Sequence, residues 1–381
     1  MKYIYLDNAA TTPVDPVVRD YVLGFLSEEF GNPSSAHVLG QRTAAVIERA
    51  RKSVAEAVGS GPWNVYFTSG GTEADNLALF GTVPRGKRKK VIISAIEHPA
   101  VGEACGHLES KGIEVVRIPA PSGVLDTLAL SSSVDDDTAA VALIHVQNEI
   151  GTVQPIACAS RMVREKAPKA HFHVDAVQSM GQLEKLDIPY EVDSVAVSGH
   201  KIHGLKGTGA LLVRPGAKVR PVLFGGEQQD GLRPGTENVP GIAGMGKACE
   251  LLVEKRAAAS ALMSRLSREL KERIVDSIPD VMIPGDEDRM CPATFSVGVK
   301  DVMSEVLLRV LQTKGVIASA GSACHTGNNE PSAALVSAGL PGGWGAVRFS
   351  LSRNNTEDEI EQAARLLSES VQEIRKGSVA V

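Results

Sequence analysis

Lys201 stands just past an apolar run, Val195-Ala196-Val197, with His200 before it and His203 soon after. A partly desolvated lysine has a lowered pKa, so its amine is nucleophilic and can form a Schiff base. Asp175 closes another run, His171-Phe172-His173-Val174, whose other members are apolar or His. A carboxylate there is unfavourable unless it meets a cation or caps a helix. Ser69-Gly70-Gly71-Thr72 follows Val65-Tyr66-Phe67. Such a turn can aim N–H groups and a hydroxyl at a phosphate, because glycine allows close approach and a helix N-terminus favours an anion. It has neither the G-x-x-x-x-G-K-S/T spacing of a P-loop nor the G-x-G-x-x-G of a dinucleotide site.

These side chains need elements that bring them together. Short apolar runs alternate with helical patterns from about residue 60 to 215: Val65-Tyr66-Phe67, Val91-Ile92-Ile93, Val141-Ala142-Leu143-Ile144, the run 192–197 and Ala210-Leu211-Leu212-Val213. This alternation predicts an α/β domain with a mostly parallel, buried sheet. In such sheets ligands bind beyond the carboxyl ends of the strands. Glu97-His98, Gln147-Asn148-Glu149, Asp175 with Gln178, and Ser198-Gly199-His200-Lys201 all fall there, as does the Gly70-Gly71 turn. A lysine for an aldehyde, an acid for a pyridine nitrogen and an anion site for a phosphate are the three needs of pyridoxal phosphate.

A helical pattern from about 247 runs through Leu251, Leu262, Leu266, Leu270 and Ile274 and bridges to a smaller α+β domain. Residues 15–250 are expected to form the large domain, and 1–14 with 251–381 the small one. Thr356 and Glu359 make a capping box for a last helix through Ile360, Ala363, Leu367, Val371 and Ile374. The N-terminal dozen residues read as an extended arm near the site or the second domain.

Formal net charge is −5, which argues against a nucleic-acid partner. The basic run Lys87-Arg88-Lys89-Lys90 reads as a solvated turn before a strand. No stretch is long and apolar enough for a membrane span, and the start meets a charge too early for a secretory signal, which predicts the cytoplasm. The cysteines, Cys105, Cys158, Cys249, Cys291 and Cys324, are odd in number and without a C-x-x-C pair, so neither a disulfide framework nor a metal site is expected. Cys324 alone lies among small polar residues, 319–331, which suits an exposed reactive loop. The others read as small buried hydrophobes.

Ten motifs then carry a resemblance: 5–12 (Tyr-Leu-Asp-Asn-Ala-Ala-Thr-Thr), Gly31-Asn32-Pro33-Ser34-Ser35, 67–73, Glu97-His98, Asn148-Glu149-Ile150-Gly151, Asp175-Ala176-Val177-Gln178-Ser179, Ser198-Gly199-His200-Lys201, 233–238, Gly321-Ser322-Ala323-Cys324 and Arg348-Phe349-Ser350-Leu351. The chain resembles the cysteine desulfurases, which are class V aminotransferase-like, fold-type I pyridoxal-phosphate enzymes, over nearly its whole length. The resemblance implies a seven-stranded, mostly parallel sheet flanked by helices, plus a smaller α+β C-terminal domain. It implies that Lys201 tethers pyridoxal 5'-phosphate and later moves the substrate's α-proton, and that His98 stacks on the ring and serves as a catalytic acid/base. Asp175 faces the ring nitrogen and Gln178 the ring hydroxyl. Gly71, Thr72, Ser198 and His200 hold the phosphate, joined by Thr236 of a partner subunit. Asn148 lies by the ring and the substrate, Asn8 by the substrate, and Arg348 receives its carboxylate. Cys324 takes sulfur from L-cysteine as a persulfide, leaving alanine.

It further implies a homodimer, with 233–238 crossing between subunits, and a sulfur acceptor such as an iron–sulfur scaffold or a tRNA-thiolation protein. His325 departs from the Thr or Ser that many iron–sulfur-type relatives carry, and Ser352 from the usual Gly. A similar Ala-Cys-His stretch occurs in selenocysteine lyases, so L-selenocysteine is the rival substrate. An ordinary transaminase of this fold would not need Cys324. A non-catalytic sulfur-assembly scaffold would need none of Lys201, Asp175 and His98.

Overall fold

The computed structural model describes residues 3–59, 61–83, 89–320 and 331–377. Cys324, its motif partners Gly321-Ser322-Ala323 and His325 lie outside the described residues.

The strands are β1 Ile4–Tyr5, β2 Asn64–Thr68, β3 Lys90–Ser94, β4 Glu114–Ile118, β5 Thr138–Ile144, β6 His171–Asp175, β7 Ser194–Ser198, β8 Gly209–Val213, β9 Val281–Met282, β10 Thr294–Val299, β11 Val316–Ile317 and β12 Gly345–Ser350. The helices are α1 Pro16–Ser27, α2 Val38–Val58, α3 Gly71–Thr82, α4 Pro99–Ser110, α5 Thr127–Ser133, α6 Ile156–Lys166, α7 Ser179–Gln182, α8 Val239–Ser277, α9 Ser304–Thr313, α10 Ala333–Ser337 and α11 Glu357–Arg375.

Among the described residues, seven strands form the central sheet in the order β2-β8-β7-β6-β5-β3-β4. Only β8 runs against the rest, pairing antiparallel with both β2 and β7. Both faces are covered, which is why the strands read as nearly continuous apolar runs. Phe172, Val174, Val195, Val197 and Leu212 pack with α2, α6 and α8 on one face. On the other face Ala196, Leu211 and Val213 meet Ala74, Leu77 and Ala78 of α3, while Ile93 and Ala142 meet α4. β10 pairs antiparallel with β12 and β9, and this smaller sheet packs with α9, α11 and the second half of α8.

α8 begins eight residues before the expected pattern, capped by Asn238 with Pro in its first turn. Its start was illegible because Gly241, Gly244 and Gly246 weaken a helical pattern. Packing explains the glycines: a Cβ on Gly246 would lie 2.7 Å from Ala50 Cα, and one on Gly244 would lie 2.9 Å from Val22 Cγ2. The helix therefore lies close on α1 and α2, and it contributes residues to both large apolar clusters. The basic run needs correction too. Lys90 is buried in β3, and its Nζ donates to Ser133 O (2.8 Å) and pairs with Asp135. The capping box forms as expected, with Thr356 Oγ1 accepting from Glu359 N.

Candidate active site

The carboxyl ends of β2, β3, β5, β6 and β7 converge on one edge of the sheet, and the N-terminal arm crosses it. Lys201 ends a short 3₁₀ turn after β7. Its Nζ donates to the carbonyls of Ala9 and Ala10. Burial, and then the charge of Arg348, bring its amine down to about 8. Asp175 is buried at the end of β6, where its Oδ1 accepts from Val177 N at 2.9 Å. Burial and then the charge of Asp75 push its carboxyl up to about 7, against the pull of His98.

His98 is the N-cap of α4, and its Nδ1 accepts from Ala100 N at 3.1 Å. That bond leaves Nε2 as the nitrogen able to carry the proton. Burial holds its pKa below the usual range, partly opposed by Asp175. Gln178 uses one amide N–H on Ala9 O (3.0 Å) and accepts from Gln182 through Oε1 (2.9 Å). One N–H of Gln178 is left for a ligand.

Gly71 and Thr72 open α3, whose N-terminus has no side-chain cap. Its first N–H groups are thus available to an anion. A Cβ on Gly71 would lie 2.5 Å from Val177 Cγ2, so glycine is needed for the turn to sit against the end of β6. Ser198 is buried beside it at the end of β7. His200 Nδ1 lies 3.2 Å from Thr11 Oγ1. Burial, then Lys201 and Lys206, bring its imidazole down to about 4, so at neutral pH it is an uncharged hydrogen-bonding group.

Arg348 lies in β12. Its Nη1 donates to Asn148 O (3.0 Å) and its Nη2 to Asp7 Oδ1 (2.7 Å). Its buried Nε has no partner among the described residues, and neither has Asn8 Oδ1. Asn8 is fixed by donating to Ser350 O at 2.9 Å. Two polar atoms poised without partners beside Lys201 suit a small ligand with its own carboxylate and amine. Asn148 meets Arg348 through its backbone carbonyl. Thr236 is exposed on the loop before α8, and no hydrogen bond among the described residues links its side chain to the others. Arg233, at the start of that loop, is held to Glu73 of α3 by a 2.8 Å ion pair.

Sequence reasoning gave no role to Asp7, Asp75 or Glu97, although all three fall within the motifs or beside them. Asp7 holds Arg348. Asp75, which is buried, and Glu97, which is partly so, interact electrostatically with Asp175, and desolvation pushes Glu97 well above the carboxylate range. The one available signal was the spacing of His171, His173 and Asp175, which share a face of β6. Of the other cysteines, Cys105, Cys249 and Cys291 are buried as expected, while Cys158 on α6 is partly exposed.

Residues 4–363 match the aminotransferase class-V family. The chain belongs to that family. Within it, this class-V chain is 40% identical over 379 residues to a protein named cysteine desulfurase from Nostoc sp., covering 98% of this chain and 94% of the relative. It superposes on a solved structure described as a NifS-like protein with a TM-score of 0.89 and 34% identity, covering 96% of this chain and 98% of that one. A second structure, described as SspA in complex with cysteine, gives a TM-score of 0.80 at 31% identity, covering 92% and 99%. The class-V chain is therefore an enzyme of the cysteine desulfurase group, with the fold-type I architecture. No helix among the described residues is long and apolar enough to cross a membrane.

Proposed function

We propose that this class-V enzyme binds pyridoxal 5'-phosphate and removes sulfur from L-cysteine, giving L-alanine and a persulfide on Cys324. The observation that carries the reading is the convergence, on one sheet edge, of a desolvated lysine, a buried acid and an arginine whose buried Nε has no partner among the described residues. The residues fit the cofactor: Lys201 to hold its aldehyde carbon, Asp175 to face its ring nitrogen, His98 to lie against the ring and Gln178 to reach the hydroxyl. Gly71, Thr72, Ser198 and His200 would hold the phosphate, with Thr236 supplied by a second subunit. Bound there, the cofactor supplies a sink for the electron pair released when the α-carbon loses its proton.

The chain's own groups do the rest. Arg348 and Asn8 orient the amino acid so that the α-hydrogen faces Lys201. Lys201 Nζ, with a pKa of about 8, is partly neutral near pH 7 and so can take that proton and return it. The Cys324 thiolate attacks the substrate sulfur. A sulfur–sulfur bond forms as the carbon–sulfur bond breaks, the electron pair goes to carbon, and a proton completes alanine. Cys324 passes its sulfur to an acceptor protein such as an iron–sulfur scaffold. A homodimer in the cytoplasm is the state in which we expect this to occur.

The test is mass spectrometry of the Cys324 peptide after exposure to L-cysteine or L-selenocysteine, with alanine measured in parallel. The reading expects one added sulfur and stoichiometric alanine, both absent in Lys201→Ala, and no added sulfur in Cys324→Ala. Alanine from selenocysteine alone would move the assignment to a selenocysteine lyase.

A further inference from the structure

A continuous hydrogen-bonded chain runs beneath the site along β6 and β7. His171, His173 and Asp175 alternate along β6 and so point to one face, and Ser194 sits opposite His173 on β7. His171 Nε2 lies 2.7 Å from Ser194 Oγ, and Ser194 Oγ lies 2.8 Å from His173 Nδ1. His173 Nε2 then lies 3.0 Å from Asp75 Oδ1 of α3. All four side chains are buried, in a face that is otherwise apolar under α3. The chain starts at the amino end of the strand, where His171 meets the Arg164–Asp193 pair, and ends beside Asp175.

Each member has a limited set of donors, so the chain has two complete senses. With Asp75 ionised, His173 donates from Nε2, its Nδ1 accepts from the Ser194 hydroxyl, and Ser194 accepts from His171 Nε2–H. With Asp75 protonated, every bond reverses and both imidazoles carry their proton on Nδ1. Passing between the two moves one proton inward: one from water arrives at His171 Nδ1, the Nε2 proton passes to Ser194, the Ser194 proton to His173 Nδ1, and the His173 Nε2 proton to Asp75. Atoms and charge balance, and both imidazoles stay neutral before and after. Burial favours that neutrality by bringing both histidines down to about 4, while it pushes Asp75 up to about 8.

We infer that His171, Ser194, His173 and Asp75 form a proton relay through the core of the sheet, and that the proton it delivers to Asp75 keeps the negative charge on Asp175. The inference rests on the ring-nitrogen role proposed above for Asp175. Asp175 faces Asp75 of α3, Glu97 and His98 before α4, His173 on its own strand and Lys201 after β7. Asp75 reaches the face of β6 at His173, two residues from Asp175, and two buried carboxylates on one such face cannot both ionise readily, so protonating Asp75 leaves Asp175 free to carry the charge. Asp75, His173, Ser194 and His171 are positioning residues: none need touch the substrate.

The test uses the full chain with nitrogen-labelled histidine and carbon-labelled aspartate, followed by NMR across neutral pH. In the wild type, His171 and His173 are expected to exchange Nε2–H for Nδ1–H together. Ser194→Ala breaks that concert, and Ser194→Thr, which keeps the hydroxyl, restores it. Asp75→Asn fixes the uncharged state that the relay delivers, so the Asp175 midpoint should stay within about half a pH unit of wild type. Histidine tautomers that stay fixed, or the same behaviour in Ser194→Ala as in wild type, overturn the relay. An Asp175 midpoint that falls by about one pH unit or more in Asp75→Asn would mean that Asp75 is charged there in the wild type, and overturns its purpose. If Asp75→Asn does not fold, the Ser194 pair decides. The tautomers are read without turnover, so a chain that takes up no cofactor would undo the function proposed above and leave the relay result standing.

Discussion

Replacing Lys201 by methionine is expected to stabilise the cofactor-free protein. The amine's ordinary pKa of 10.5 falls to about 8 in the fold. That gap corresponds to about 3 kcal/mol against the charged, folded state at neutral pH. Methionine removes the charge but also the bonds to Ala9 O and Ala10 O. Losing them offsets about 1 kcal/mol, so the net gain near neutral pH is about 2 kcal/mol. The sign follows from proton binding. Between about 8 and 10.5 the unfolded chain holds the proton more often than the folded one, so wild-type stability climbs with pH in that window. The advantage of the variant should therefore shrink by about 2 kcal/mol between about pH 7 and about pH 9.5. Urea unfolding of both cofactor-free proteins at the two pH values reads this directly. Equal midpoints at both, or a difference that does not narrow, would refute the electrostatic reasoning about Lys201.

Three further outcomes are expected. Arg348→Lys cannot serve Asn148 O, Asp7 and a carboxylate from one compact ammonium, so kcat/KM for cysteine should fall about 100-fold, chiefly through KM, in steady-state kinetics. Gly71→Ala drives a Cβ into Val177 and should weaken cofactor uptake about 10-fold in an absorbance titration; adding Val177→Ala should recover part of the loss. Thr356→Ala removes the capping box of α11 and should lower stability by about 1 kcal/mol in urea without altering cofactor uptake.

The residues around the site were legible because each follows an apolar strand closely. A sheet covered on both faces leaves its polar chemistry at strand ends, so Lys201, Asp175 and His98 stood out against Val, Ile and Ala. The mostly parallel, buried sheet followed from the same alternation, and its seven strands from the family resemblance. What escaped depended on contacts between distant segments. The start of α8 hid behind glycines that make sense only against Ala50 and Val22. Lys90 looked solvated until Asp135 and the Ser133 carbonyl came into view. Asp7 looked like one polar residue of an arm, and its ion pair to Arg348 spans 341 positions of sequence. The histidines of β6 carried a readable period, but their partner Asp75 belongs to a helix 98 residues earlier.

The arm has a consequence for how the enzyme comes into being. The long-range partners of Asn8 and Asp7 are Ser350 and Arg348. A nascent polypeptide long enough to have built the whole central sheet still lacks the strand that clamps its own first turn in place. Closure of such a long loop comes late on entropic grounds. The pocket is thus closed by the meeting of segments 341 positions apart, and a chain in which β12 has not yet folded should leave it open to solvent.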